Sequence, residues 1–269
     1  MNETELRSEK IEKEALISLH KHCPPEAAKA IGLYLLEVDD ALAAAAVNDP
    51  SVVINRTLGL GTANEISEKT IKNIKGFYRD LLIKKYFLHI YPDELPENGN
   101  EILDELGFQK SRGWMKFSRD NSPAPNAPTE LEIREASTTE EATHFGRIVA
   151  SAFGMTELSA PMLAGLYNDP AWYIFLSYSD DSPAGAGAMY VSGESAWMEW
   201  GATDPNFRRR GSQAAIMAAR IQKAIELGCK QMFTETGEAV EGDPQHSYKN
   251  ILKAGFKESV LRENYTPKI

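Results

Sequence analysis

The sequence predicts an α/β fold of the α+β type, made of two similar halves that each form a mixed, mostly antiparallel sheet flanked by helices. Strand and helix patterns alternate through the second half of the 269-residue chain, as in sheets with helical connections. The same order recurs more faintly in the first half. Residues 119–130 contain three prolines among small polar residues, which favours an extended linker. We therefore expect domains at residues 1–120 and 130–269, joined by a linker at 121–129.

Composition places the chain among ordinary globular proteins and excludes several classes of function. Hydrophobic residues make up 42% and charged residues 25%, enough for a buried core. The formal net charge of −10 argues against nucleic-acid and membrane partners, which attract positively charged surfaces. Cys23 and Cys229 give neither a disulfide framework nor a metal-binding spacing, so we expect no metal and a cytoplasmic location. Residues 1–13 are strongly charged, unlike a signal peptide, and no apolar window is long enough to span a membrane.

The first half contains apolar runs bounded by turn residues, together with one long stretch of helical spacing. Residues 41–47 are rich in alanine, which favours a helix by propensity. The Asn48-Asp49-Pro50 turn that follows, and the parallel with the second half, favour a strand there instead. These patterns predict strands at residues 41–47, 52–58 and 86–91, a turn at 59–61, and helices at 67–83 and 101–106.

The second half has clearer signals. Aromatic and apolar runs predict strands, and a turn at residues 180–183 joins two of them into an antiparallel hairpin. Apolar residues at Ala214, Met217 and Ile221 predict a helix that ends before Gly228. The strands are predicted at residues 131–134, 172–178, 184–191, 195–202, 229–234 and 256–265, and the helices at 139–153, 212–227 and 248–254.

A short helix followed by Gly-Phe and a strand occurs in both halves, at Gly107-Phe108 and at Gly255-Phe256. Together with the shared order of elements, this indicates an internal duplication at low sequence identity.

An arginine-rich turn lies between the strand at 195–202 and the helix at 212–227. Backbone N–H groups at a helix N-terminus, with the helix dipole, favour a bound phosphate. A solvated charge cluster is the alternative, but three adjacent arginines at a helix start in a chain of net charge −10 favour an anion site. The residues expected to bind a diphosphate are Arg208, Arg209, Arg210, Gly211, Ser212, Gln213 and Ala214.

This turn and the order of elements around it resemble the GNAT (Gcn5-related N-acetyltransferase) family. The family's diphosphate motif is Gln/Arg-x-x-Gly-x-Gly/Ala, which Arg208 and Gly211 match and Gln213 does not. The resemblance covers the second half, and the first half resembles a degenerate copy of the same fold. It implies acetyl-CoA as cofactor, with backbone groups of Trp200, Gly201 and Ala202 beside its pantetheine arm.

Acetyl transfer to an amine requires a group that accepts the amine proton. Glu199 lies on the strand where the resemblance implies a general base, although it could equally be an exposed carboxylate on the opposite face. Glu235 and Glu238 could hold a cationic substrate or be solvated, and His246 is a weaker candidate for the base.

The resemblance also implies a tyrosine on the short helix, as proton donor to the departing thiolate. That position is Ile251 here, so Asn250, Tyr248 or water would have to replace it. In the first half the corresponding turn lacks arginines and has Glu65 and Glu68 nearby, so we expect that half to be cofactor-free.

The resulting prediction is an acetyl-CoA-dependent N-acetyltransferase that acts on a primary amine of a small molecule or a peptide. Ile251 favours one alternative, a non-catalytic acyl-CoA-binding or regulatory protein. A second alternative is an interaction module whose arginine run contacts an acidic partner. The sequence leaves the acceptor and the oligomeric state open, a homodimer included.

Overall fold

The structure, a computed structural model, describes residues 1–268; Ile269, the last residue of the predicted second domain, lies outside them. Within this range the chain forms eight α-helices and one sheet of eleven strands, in the order β1-β2-β3-β4-β11-β5-β10-β9-β8-β7-β6. The helices are α1 (Glu3–Lys21), α2 (Pro25–Ile31), α3 (Glu68–Asp80), α4 (Gly99–Glu105), α5 (Thr139–Ala152), α6 (Ser159–Ala164), α7 (Ser212–Glu226) and α8 (His246–Lys253). The strands are β1 (Leu33–Val38), β2 (Ala41–Ala46), β3 (Arg56–Leu60), β4 (Phe87–Ile90), β5 (Phe108–Asp120), β6 (Glu132–Glu135), β7 (Trp172–Ser179), β8 (Ser182–Ser192), β9 (Ser195–Thr203), β10 (Gln231–Gly237) and β11 (Lys257–Pro267).

The mixed α/β fold predicted from the sequence is confirmed, but the two halves share one sheet. The last strand of the first half, β5, pairs with β10 of the second half, and the last strand of the second half, β11, pairs with β4 of the first. The two exchanged strands also pair with each other, antiparallel. Each half therefore completes the sheet of the other half, and residues 121–129 connect β5 to β6 across this joint.

The order of elements in the first half, from α1 to β5, repeats the order from α5 to β11 in the second half. Helix α1, where the sequence indicated only a charged segment, begins with a capping box formed by Asn2 and Glu5. Its apolar face packs into a core that also contains Leu58 of the first half and Phe145 of the second. This shared core extends across both halves.

Several boundaries differ from the sequence prediction, for local reasons. Strand β3 begins at Arg56 rather than residue 52, because Asp49 accepts the Ser51 N–H (2.9 Å) and holds the preceding residues in a turn. Gly59 lies inside β3 at φ +81°, and the β3–β4 register shifts there, so this glycine forms a bulge rather than the predicted turn. β5 continues to Asp120, the residue before the predicted linker at 121–129. Strand β10 extends to Gly237, which places Glu235 within the strand.

Within the described residues, none of the helices has the length and apolar character needed to span a bilayer. The same part of the chain contains no group of three or more His, Cys, Asp or Glu side chains arranged to hold a metal ion. Cys23 and Cys229 are both buried and unpaired.

Candidate active site

Strands β9 and β10 separate and leave a cavity between them. They pair in parallel only from Ser195 to Trp197 on β9 and from Gln231 to Phe233 on β10. Beyond that point β9 contains a bulge, where the β8–β9 register shifts and Trp200 takes a left-handed φ of +59°. The resulting cavity, which we call the inner cavity, has a volume of 240 Å³ and is lined by Glu199, Trp200 and Glu235 among others.

The arginine-rich turn forms one wall of a second, wider cavity of 720 Å³, the outer cavity. Arg209 (φ +65°) and Gly211 (φ +85°) both take left-handed conformations, so the backbone turns sharply into α7. Gly211 is the N-cap residue, and no side chain caps the helix. The N–H groups of the first turn of α7 therefore remain free to bind a ligand.

The two cavities adjoin each other. Phe153, Gly201, Gln213 and Ser247 line both, so a continuous cleft leads from the arginine-rich turn to the carboxylates of the inner cavity. The Gln213 side chain crosses the junction: it donates to Ser247 Oγ (3.2 Å) and accepts from Asn250 Nδ2 (2.6 Å). Gln213, the residue that departs from the family motif, therefore lies at the junction of the two cavities.

The structure brings together all but one of the residues that the sequence predicts for cofactor binding. Arg210 is the exception, since its guanidinium donates to Ser179 Oγ (2.9 Å) and it does not line the cleft. Trp200 lines the inner cavity. The outer cavity is lined by Gly201, Ala202, Arg208, Arg209, Gly211, Ser212, Gln213 and Ala214.

Two carboxylates in the inner cavity share one buried arginine. Arg56 of β3 contacts Glu199 Oε1 through Nη2 (3.0 Å) and Glu235 Oε1 through Nη1 (3.0 Å). The side chains of Glu199 and Glu235 are 16% and 9% exposed, whereas Arg56 is 2% exposed. All three residues line the inner cavity, and the guanidinium is the most deeply buried of the three charged groups. A residue of the first half thus forms part of the candidate site in the second half.

Behind Arg56, four further charged side chains complete a buried network under α1. Arg262 contacts Glu9 Oε2 (2.8 Å), Glu12 Oε2 (2.8 Å) and Glu235 Oε2 (2.6 Å). Lys116 forms an ion pair with Glu12, which also accepts from Arg56 (3.0 Å). The network contains four carboxylates, at Glu9, Glu12, Glu199 and Glu235, and three cations, at Arg56, Lys116 and Arg262. When all seven are ionised, one negative charge is uncompensated.

The pKa values show where that extra charge is least stable. Burial raises the pKa of Glu235 to about 7, and the negative charge of Glu12 adds to the effect. Burial also raises the pKa of Glu199 above its ordinary value. Burial opposes the ionisation of Glu12 too, but Arg262 and Lys116 outweigh it and hold the pKa of Glu12 well below its ordinary value. The carboxylates that face the cavity are therefore the ones that take up a proton most readily.

Sequence reasoning missed the buried cations and both carboxylates of α1. A charged residue inside an apolar strand pattern, such as Arg56 between Ile54 and Leu58, was the available signal. This signal could not reveal the ion-pair partners of Arg56, because the carboxylates that it contacts come from α1, β9 and β10.

The three residues of the short helix α8 that concern the proton donor, Tyr248, Asn250 and Ile251, lie in different places. Ile251 lines the inner cavity and Asn250 the outer one. Tyr248 lines neither: its ring packs against Phe117, with centroids 5.0 Å apart, and its hydroxyl donates to Glu258 (2.6 Å). Burial and this hydrogen bond raise the pKa of Tyr248. This placement argues against Tyr248 as the proton donor.

Glu238 and His246 also lie outside the inner cavity. Glu238 accepts a hydrogen bond from the Gly113 N–H (3.1 Å), and His246 lines the outer cavity at the start of α8. Of the acidic candidates, only Glu199 and Glu235 meet in the inner cavity.

Comparisons with known proteins identify solved structures that share this fold. No family model and no curated protein matches the sequence. The structure is similar to that of a GCN5-related N-acetyltransferase from Kribbella flavida, with a TM-score of 0.62, 13% identity, and coverage of 93% of this chain and 95% of that one. A GCN5-related N-acetyltransferase from Sphaerobacter thermophilus gives a TM-score of 0.60 at 14% identity, covering 87% and 84% of the two chains. A functionally unknown conserved protein from Staphylococcus epidermidis gives 0.58 at 11% identity, covering 90% and 98%. At these identities the similarity establishes that the chain has a GNAT fold.

Proposed function

We propose that this protein is an acetyl-CoA-dependent N-acetyltransferase that transfers acetyl to a primary amine of a small molecule or peptide. The observation that carries the proposal is the continuous cleft between β9 and β10. One end holds uncapped helix N–H groups beside Arg208 and Arg209, and the other holds Glu199 and Glu235. An anion-binding turn and a pair of proton-accepting carboxylates are the two groups that this reaction needs.

The residues of the outer cavity fit coenzyme A. Its diphosphate would bind the first-turn N–H groups of α7, with Arg208 and Arg209 adding charge-assisted hydrogen bonds. The pantetheine arm would lie along Trp200, Gly201 and Ala202, where β9 has lost its pairing with β10. Acetyl-CoA supplies an activated acetyl thioester when bound.

The inner cavity fits the reacting end of the acceptor. Its 240 Å³ is below the roughly 300–1,000 Å³ of typical small-molecule sites, which suits an amine head group and an acetyl group. The carboxylates of Glu199 and Glu235, which both line this cavity, are groups that can pair with an ammonium ion. Glu199 is the group that would take the proton as the amine attacks, and Glu235 would hold the cation.

We propose that the first half is a degenerate copy of the same fold and binds no cofactor. The carboxylate of Asp40 accepts the N–H groups of Ala63 (2.7 Å) and Asn64 (3.2 Å), in the turn that corresponds to the arginine-rich turn. Strands β3 and β4 pair on both sides of the bulge, at Arg56, Thr57 and Leu60. The Asp40 carboxylate thus takes the place that a phosphate would occupy. The cavity of 460 Å³ beside this turn is lined by Glu65, Asp93 and Glu94, whose charge disfavours an anion. This half would instead shape the acceptor site through Arg56.

Two measurements test the proposed function together. Calorimetric titration should show that acetyl-CoA binds with one site per chain. Incubation with a panel of small primary amines should then release free thiol and yield an acetylated amine, detected by mass spectrometry. The absence of binding at millimolar acetyl-CoA would exclude the proposal.

One observation favours a second candidate, a non-catalytic acyl-CoA-binding protein. No tyrosine hydroxyl lines the inner cavity, since Ile251 takes the expected position and Tyr248 packs elsewhere. Tight acetyl-CoA binding with no thiol release across the amine panel would support this candidate. The buried, unpaired cysteines fit a cytoplasmic location for either function.

A further inference from the structure

Arg220 of α7 is a buried cation with no ion-pair partner in the described chain. It is 1% exposed, and its Nη1 donates to the carbonyl oxygens of Ala188 (2.8 Å) and Glu199 (3.0 Å). Burial without a nearby carboxylate lowers the pKa of Arg220 to about 10. Arg56, by contrast, contacts three carboxylates. A buried charge of this kind is costly unless a ligand or reacting group uses it.

The fold holds this guanidinium at the bulge of β9. Ala188 and Glu199 are paired residues beside the register shift, so the two hydrogen bonds fix the side chain there. Gly187 provides space for it, since a Cβ there would lie 3.1 Å from Arg220 Cζ. Arg220 lines the inner cavity from the α7 side.

One of its donor groups is left for a ligand. Arg220 Nη2 contacts the sulfur of Met217, at 3.6 Å, whereas Nε is buried and has no hydrogen-bond partner among the described residues. Met217 and Ile251 line the same cavity. The carboxylates Glu199 and Glu235 are joined through Arg56 to the network under α1. On one side of the cavity the carboxylates are therefore paired with Arg56, whereas Arg220, on the α7 side, has no carboxylate partner within the described part of the chain.

We propose that Arg220 stabilises the thiolate that leaves when acetyl passes to the amine, in place of a hydroxyl donor. This inference rests on the proposed function. The amine nitrogen forms a bond to the acetyl carbon, the carbon–sulfur bond breaks, and its electron pair goes to sulfur. The amine proton goes to Glu199, and the thiolate remains beside the guanidinium. Arg220 stabilises the thiolate without giving up a proton. Acetyl transfer can therefore proceed although position 251 is an isoleucine rather than a tyrosine.

A binding experiment tests this inference without relying on turnover. The affinities of CoA and acetyl-CoA are measured by calorimetry from pH 6 to pH 9, and bound thiolate is followed by its ultraviolet absorbance. A cation that lowers the thiol pKa makes CoA bind more tightly as pH rises, while acetyl-CoA, which has no thiol, serves as the internal control. For the unmodified protein we expect the CoA to acetyl-CoA affinity ratio to rise severalfold over this range, toward a limit of about tenfold for each unit by which the thiol pKa is lowered.

Three variants separate charge from structure. Arg220→Lys should keep most of the rise, whereas Arg220→Gln, which can still donate to the two carbonyl groups, should abolish it. Lys223→Met removes a cation from the same helix outside the cavity, where Lys223 pairs with Glu135 (2.9 Å), and should leave the rise intact. A rise that persists in Arg220→Gln, or no rise in the unmodified protein although CoA binds, would overturn the inference. Absence of CoA binding altogether would instead overturn the proposed function.

Discussion

At the scale of single residues, Arg56 is the side chain that connects the candidate site to the rest of the molecule. It comes from the first half, is 2% exposed, and neutralises carboxylates of α1, β9 and β10 together. Arg56 is the ion-pair partner of the buried Glu199 and one of several cations around Glu12 and Glu235, so its loss has a larger effect than the loss of a surface ion pair.

Arg56→Met should destabilise the protein by about 3–5 kcal/mol at pH 8, since it leaves Glu199 without a cationic partner and removes one of the cations that compensate Glu12 and Glu235. The loss should shrink toward pH 5.5, because the carboxylates whose pKa is already raised, Glu199 and Glu235, then take up protons. Urea denaturation at both pH values measures this. Arg7→Met, which breaks an exposed pair with Glu3, is the control and should change stability by less than about 0.5 kcal/mol. Equal losses for the two variants would contradict the role of Arg56.

The two cavity carboxylates should differ in their kinetic effects. Glu199→Gln should lower kcat about 100-fold or more, as expected for a lost general base. Glu235→Gln should mainly raise KM for the amine and shift the acid limb of the pH–rate profile. In the unmodified protein that limb should lie near pH 7, with activity rising as the pKa of Glu235, about 7, is passed.

Steady-state kinetics against pH measures both effects. Glu238→Gln, which lies outside the inner cavity, serves as the control and should leave kcat and KM unchanged. A Glu199→Gln variant with unchanged kcat would show that another group accepts the proton.

The sequence could point to a single residue of the candidate site where that residue lies on a strand with a clear local pattern. Glu199 followed from its position on a recognisable strand. Arg56, Glu9 and Glu12 did not, because their burial depends on α1 packing over strands far away in sequence. The charge pattern of α1 is that of a surface helix, and nothing local distinguishes its two buried glutamates from the exposed ones.

At the scale of elements, the turn before α7 carries the proposed cofactor site. Long periodic elements such as α7 were predicted well, since their apolar spacing is a local property. The edge strand β1 and helix α1 were not, because β1 is only partly buried and α1 has charges on its buried face. The bulge at Trp200 was also unpredictable, since it depends on pairing with β8.

Adjacent arginines of the turn should contribute unequally to cofactor binding. Arg209→Gln should weaken CoA binding about tenfold, the value of one charge-assisted hydrogen bond. Arg210→Gln should change it less than about threefold, because Arg210 bonds Ser179 and lies outside the cleft. Calorimetric titration with CoA measures both variants at the same ionic strength. Equal losses would show that the diphosphate does not bind as proposed.

At the scale of the whole molecule, exchange of β5 and β11 makes one sheet from two halves. The sequence indicated two halves with a similar order of elements, which the structure has, but not the exchange, because the choice of strand partner is a non-local property. The two halves are therefore joined by β10–β5 and β11–β4 hydrogen bonding as well as by the linker at 121–129.

A protease site inserted at residues 121–129 tests this interdependence. After cleavage the two fragments should remain one particle in gel filtration, unfold in a single urea transition and separate only in denaturant. The shared sheet and the buried ion pairs of Arg56 cause this result. Two fragments that separate under native conditions, each folded, would contradict the exchange.

The most direct test of the central claim is an experimental structure of the protein with bound CoA. We predict its diphosphate on the N-terminal turn of α7 beside Arg208 and Arg209, its pantetheine arm between β9 and β10, and its sulfur in the inner cavity between Glu199 and Arg220. CoA bound elsewhere, for example at the turn held by Asp40 in the first half, would contradict the claim.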